Sequence, residues 1–184
     1  SIESMTDYLK NHPEIGLLGP QLLNFNNTIQ DSCFRFPTPL TIAYRRLGFL
    51  PFSKKIIDSF LIRDKEKNQA MPIDWLMGSA LMTSRIAISK IGLLDKKMFL
   101  YFSEVDWARR FWENGYQVVY YPVAKLYHYW KRESKGSFWI LDLLFKKETR
   151  WHIMDAVRYF LKHGFLTSKA KFINSLPTVK QVKN

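Results

Sequence analysis

The run Phe99, Leu100, Tyr101, Phe102, Ser103, Glu104, Val105, Asp106, Trp107, Ala108, Arg109 and Arg110 leads through Asn114, Gly115 and Tyr116 to Tyr121, Pro122, His128 and Ser134. Read in order, it is an acidic helix start, a glycine turn, a strand, a proline and a lone histidine. Acids in a first turn complement the helix dipole, and a glycine just past the last periodic residue ends the helix, so a helix over Glu104 to Glu113 closed at Gly115 is predicted. Ser103 reads as its N-cap, with Asp106 three residues on in near capping-box spacing. Asp106 and Arg110 stand four apart, a spacing that suits an ion pair holding the helix. Trp107, Phe111 and Trp112 read as core-facing. Val118 to Tyr121 and Ala124 to Tyr129 read as strands.

Outward from this run the same alternation continues. Ile2 to Asn11 reads as a helix ended before Pro13, Ile15 to Leu18 as a short strand, and Gln21 to Leu23 with Ile29 to Ser32 as a hairpin. Pro37 and Pro39 open an insert reaching about Asn68, whose apolar spacing predicts short helices. Pro72 to Trp75 and Ala80 to Ser84 read as strands, and Arg85 to Ile91 as a helix closed at Gly92. Helices alternating with strands predict an α/β layered domain.

The 184 residues are 47% hydrophobic and 16% aromatic, enough for one sizeable core. Cys33 is the single cysteine, which rules out an internal disulfide and gives no sign of an oxidising compartment. A net charge of +12 calls for a partner of opposite sign: nucleic acid, an anionic membrane or a phosphate-bearing substrate. Much of that charge falls late, on Lys131, Arg132, Lys135, Lys146, Lys147, Arg150, Arg158, Lys162 and beyond. There it accompanies apolar residues that recur every three or four positions from Ser137 to His163. Such a basic amphipathic segment either lies in an anionic bilayer surface or packs its apolar face on the preceding domain.

Taken together, the acidic helix start, Arg110, His128, the Asp74-Trp75 segment with Gly78, Ser79, Ala80 and Arg85, and the Gly16, Gly19 and Pro20 segment resemble the second half of the inverting family 2 glycosyltransferases. The likeness is greatest to their rhamnosyltransferase-like branch and covers roughly residues 1 to 136. It implies the C-terminal part of a GT-A (Rossmann-like) fold: residues 1–136 as its acceptor-binding half and 137–184 as a basic amphipathic helical tail. It also implies that the nucleotide-binding half, with an Asp-x-Asp metal motif found nowhere in this sequence, belongs upstream. The chain alone is then expected to be inactive.

An inverting transfer needs one carboxylate to take the acceptor hydroxyl's proton, and a nucleotide diphosphate leaving group needs positive charge. Aligned on Tyr101, Asp106 and Arg110, the family's acidic pair falls on Ser103 and Glu104. A serine stands at the first acid, and a glutamate at the second, where glutamate then aspartate is common. The resemblance therefore implies Glu104 as the base, with Asp106 as the alternative. It places Asp74, Trp75, Gly78 and Ser79 on the acceptor side, with Trp75 either a sugar platform or a buried strand-end residue. His128 becomes a ligand of a divalent cation, Mg2+ or Mn2+, whose main ligands would lie in the upstream half; a histidine on an apolar stretch is otherwise a hydrogen-bonded core residue. Lys131, Arg132 and Ser134 would contact the donor diphosphate, or else be solvated surface. The implied partners are a nucleotide-sugar donor, a glycan or lipid-linked acceptor and an anionic membrane, and not nucleic acid. The implied location is cytoplasmic, on the inner face of the plasma membrane. A non-catalytic basic module binding nucleic acid or membrane is the competing reading, although no nucleic-acid recognition motif is present.

Overall fold

The computed structural model describes residues 1–46, 51–99, 101–129 and 147–165. Six helices and five strands alternate along them: α1 Ile2–Asn11, β1 Ile15–Leu23, β2 Cys33–Phe34, α2 Pro39–Arg46, α3 Ser53–Phe60, β3 Met71–Pro72, β4 Trp75–Leu76, α4 Arg85–Ile91, α5 Ser103–Glu113, β5 Gln117–Tyr127 and α6 Lys147–His163. This is the α/β alternation expected.

β1 runs parallel to β5, β3 pairs antiparallel on the other side of β5, and β2 and β4 form a separate two-stranded ladder. All nine residues of β1 are buried, because both faces of the sheet are covered. On one face Leu17, Val118 and Tyr120 join the main core with α5 and α6; on the other Leu18, Val119 and Ala124 pack with Met5 and Leu9 of α1. Gly16 is required by close approach. A Cβ there would stand 2.4 Å from the Phe111 ring, so α5 can lie against β1 only over a glycine.

Two strands are longer than expected. β1 starts at Ile15 and continues through Gly19 and Pro20 to Leu23, so the expected hairpin is reduced to one bridge between Leu23 and Ile29. The two strands expected after Gly115 are one, β5. Its register against β1 jumps from Pro20 opposite Tyr121 to Gln21 opposite Lys125, and Pro122 sits in that irregularity, where its missing N–H interrupts no ladder bond. Ala80 to Ser84 supplies only the Leu18–Met82 bridge. The insert does form two short helices, α2 and α3.

α6 is seated on the domain. Ala156, Tyr159 and Phe160 are buried in the main core with Leu17, Phe102, Phe111 and Val118. The opposite side of the helix leaves Ile153, Met154, Val157 and Leu161 exposed. The expected boundary at 136/137 lies outside the described residues, as does the first part of the expected amphipathic segment. Among the described residues, no helix is long and apolar enough to cross a membrane.

Candidate active site

α5 is held on the core by its apolar stripe and by two indole donors. Trp107 Nε1 donates to the Gly92 carbonyl at 2.9 Å, and Trp112 Nε1 donates to the Ile73 carbonyl at 3.1 Å. Trp107, Phe111 and Trp112 are buried as predicted. The helix does not begin as predicted. Its cap is Phe102, in the left-handed region at φ 63°, and Ser103 is the first helical residue. A left-handed bulky residue is unfavourable by about 1–2 kcal/mol. It is retained because the Phe102 ring packs against His152, Tyr159 and Phe160 at centroid distances of 5.7, 5.3 and 6.3 Å.

The Ser103 hydroxyl donates to Glu104 Oε2 at 3.1 Å instead of capping. Glu104 is half-buried in the first turn and abuts the exposed Gly78: a Cβ on Gly78 would lie 3.7 Å from its carboxyl carbon. Burial pushes the Glu104 carboxyl above the usual carboxylate range. Backbone hydrogen bonding and Ser103 oppose that rise, and the charge of Asp155 adds to it. The structure thus brings together Glu104, Ser103 and the open Gly78–Ser79 turn.

Asp106 has a different environment. It is fully buried; Arg110 Nε donates to its Oδ2 at 2.9 Å, while His163 Nε2 and Lys162 Nζ both reach its Oδ1 at 2.7 Å. Burial alone would raise its pKa, but the hydrogen bonds from His163, Lys162 and Arg110 outweigh it and bring the value down to about 2. Arg110 carries the grip on to the carbonyls of Ile91 and Leu93, at 2.7 and 2.8 Å. The Asp106–Arg110 pair is as the spacing predicts. As an alternative base, however, Asp106 is corrected: its oxygens are occupied by cations and closed to an acceptor. His163 lies between two acids, with Nδ1 3.5 Å from Glu113. Burial opposes its protonation, yet Asp106 and Glu113 raise its pKa.

Of the expected acceptor-side residues, Trp75 takes the second of its two readings, a buried strand-end residue, and Asp74 is buried beside it. Trp75 is 9% exposed, its ring stacked on Phe34 at 4.3 Å and its Nε1 donating to the Arg35 carbonyl, so it is core and not an open platform. Asp74 is buried and accepts the Phe36 amide at 2.8 Å, a contact that positions backbone.

His128 follows the carboxyl end of β5, and its amide donates to the Leu23 carbonyl at the end of β1. The tight Asn114–Gly115 turn reverses α5 relative to β5, so the start of α5 and the ends of both parallel strands point to the same edge of the sheet. Ligands of α/β sheets bind at that edge. Gln30 Nε2 donates to the His128 and Leu23 carbonyls and to Asn24 Oδ1, which makes Oε1 the end facing His128 Nδ1 at 2.9 Å. Nδ1 therefore carries the proton and Nε2 keeps its lone pair, the tautomer a metal ligand needs. Among the described residues no three His, Cys, Asp or Glu side chains converge to complete such a site. Lys131, Arg132 and Ser134 lie outside the described residues.

Asp155, Lys162 and His163 were not anticipated as partners of α5. The available signal is the stripe at 152, 155, 156, 159, 160 and 163, spaced for one helix face, in which His152, Asp155 and His163 stand among Ala156, Tyr159 and Phe160.

No protein-family profile matches the chain. Over 153 residues, 74% of its length, it is 26% identical to the N-acetylglucosaminyl-diphospho-decaprenol L-rhamnosyltransferase of two Mycobacterium tuberculosis strains. Over 95 residues, 51% of its length, it is 28% identical to the low-salt glycan biosynthesis hexosyltransferase Agl10 of Haloferax volcanii. These similarities support a glycosyltransferase family. The matches span 44% of the mycobacterial and 26% of the haloarchaeal protein, so the chain accounts for less than half of either relative.

Proposed function

We propose that the chain is the base-bearing, acceptor-side portion of an inverting family 2 glycosyltransferase of GT-A type. Its substrate would be a nucleotide-diphosphate sugar, with rhamnose favoured by the mycobacterial relative, and its acceptor a glycan or polyprenol-linked sugar of a cell-surface polysaccharide. One observation carries this reading. Of the two first-turn acids of α5, Glu104 stands at an open glycine turn with no cationic partner among the described residues, its proton affinity raised, while Asp106 is sealed among cations. Glu104 would take the acceptor hydroxyl's proton as that oxygen attacks the anomeric carbon, and the Gly78–Ser79 turn would let the acceptor approach. A divalent cation would neutralise charge developing on the diphosphate; His128 Nε2 could hold it only together with ligands from the upstream half. In the test, full-length protein is incubated with radiolabelled dTDP-rhamnose and a polyprenol-diphosphate-linked N-acetylglucosamine. A labelled lipid product with inverted anomeric configuration is expected. Hydrolysis without transfer, or a retained configuration, would overturn the reading.

The acceptor chemistry also gives α6 an outward role, at the inner face of the plasma membrane. Ile153, Val157 and Leu161 are exposed on its outer side, with Arg150 and Arg158 close in sequence. Such a face suits an anionic bilayer surface. The protein should float with vesicles containing phosphatidylglycerol, and Leu161→Glu with added salt should release it. Equal binding to neutral vesicles would count against this.

A further inference from the structure

The two residues that precede the α5 start are gripped from α6. The Tyr101 amide donates to Asp155 Oδ2 at 3.0 Å, the Tyr101 ring stacks on His152 at 4.4 Å, and Phe102 fits among His152, Tyr159 and Phe160. Asp155 is fully buried, and Arg158, on the solvent side of the same helix, approaches its other oxygen at 3.4 Å. A carboxylate withdrawn from water this completely is retained only where it is held by hydrogen bonds and charge.

We propose that Asp155 is a positioning residue for Glu104: by pinning the Tyr101 amide it fixes where α5 begins, and it brings a buried negative charge to the start of the helix that carries Glu104. This rests on Glu104 being the base. Among the described residues, Glu104 meets Ser103 from its own helix and the uncharged Gly78 backbone from the turn, and the charge of Asp155 acts on it from α6, with Arg158 paired to Asp155 and His152 behind Tyr101. A negative charge nearby holds a proton on Glu104, and a positive charge beside Asp155 offsets it. The apolar α6 is thus a support for the site as well as a wall of the core.

The sign of the effect separates this role from simple packing. In the full-length transferase, Asp155→Asn keeps an acceptor for the Tyr101 amide and removes the charge. The acid limb of its kcat profile should move down by roughly half to one pH unit, with donor KM unchanged. Arg158→Ala, on the solvent side, removes the charge beside Asp155 together with a hydrogen bond to the Lys97 carbonyl, and should move the limb upward. Asp155→Ala, which also frees the amide, should lower kcat about 10- to 100-fold through misplacement of the base. Limbs that superimpose on wild type in both Asp155→Asn and Arg158→Ala would overturn the proposal, as would a loss of kcat that follows only a lower Tm. Glu104→Gln is run alongside. If it transfers normally, the base assignment fails and this inference with it; if it is inactive while both limbs stay in place, this inference alone fails.

Discussion

Asp106→Ala is expected to be strongly destabilising. It removes a fully buried carboxylate and leaves Arg110, Lys162 and His163 facing one another without it. Breaking a buried ion pair from one side is unfavourable by about 3–5 kcal/mol. Lys162 is 38% exposed and can turn to solvent, which favours the lower end. About 3 kcal/mol corresponds to a fall of roughly 6–12 °C in Tm for a domain of this size. The pH dependence follows from the same cluster. Asp106 titrates at about 2 in the fold, against an ordinary value of 3.8 in the unfolded chain, so its contribution is present above pH 3.8 and is lost as pH falls towards 2. His163 is raised above 6.5, so its contribution is complete below pH 6.5 and is lost as pH rises through the raised value. A plateau of stability between those limits is expected by thermal melting at a series of pH values. In Asp106→Ala both shoulders should be blunted, because His163 then keeps only Glu113. A variant that melted like wild type but had lost transfer would return Asp106 to the role of base.

Local signals placed most of the helices, and long-range contacts decided the site. α1, α4 and α5 were legible because each carries its own start, apolar period and glycine or proline stop. The Asp106–Arg110 pair was legible because both partners lie on one helix, four residues apart. β1 runs past the expected end at Leu18 because Gly19 and Pro20 are accommodated by burial on both faces and by the close approach of Leu76 to Gly19. β5 was divided in two by Pro122, which the irregularity in its register accommodates. At Trp75 the sequence could not show which way the ring points, and the fold turns it onto Phe34. The largest gap concerns α6. Its lysines and arginines read as a charged tail, yet Lys162 and His163 close on Asp106 across more than 50 positions, and Asp155 reaches Tyr101. No local spacing carries such pairings. They follow only once the apolar stripe of α6 has been laid on the core.

Glu104→Gln, by contrast, should leave the fold intact and remove the activity. The amide keeps the size of the side chain and an acceptor for the Ser103 hydroxyl, but it cannot take a proton. General-base removal lowers kcat by about 10²–10⁴-fold, and donor KM should stay the same if, as proposed, the carboxyl meets the acceptor and not the nucleotide. Stability should change in the opposite direction to Asp106→Ala. Burial raises the Glu104 pKa above 4.5, so stability falls as pH rises from 4.5 to the raised value, above which the folded state carries a charge it accommodates poorly, and neutralising it keeps or increases Tm. In wild type the rate should therefore climb with pH through a limb lying above 4.5 as the base loses its proton, and the residual rate of Glu104→Gln should lack that limb. A group selected for packing would be stabilising where it stands. One that is held at an open turn, destabilising when charged and indispensable to the rate, fits the balance expected of a catalytic carboxylate. If Glu104→Gln lost stability together with activity, or kept the limb, Glu104 would be a structural acid and the proposed base assignment would fail.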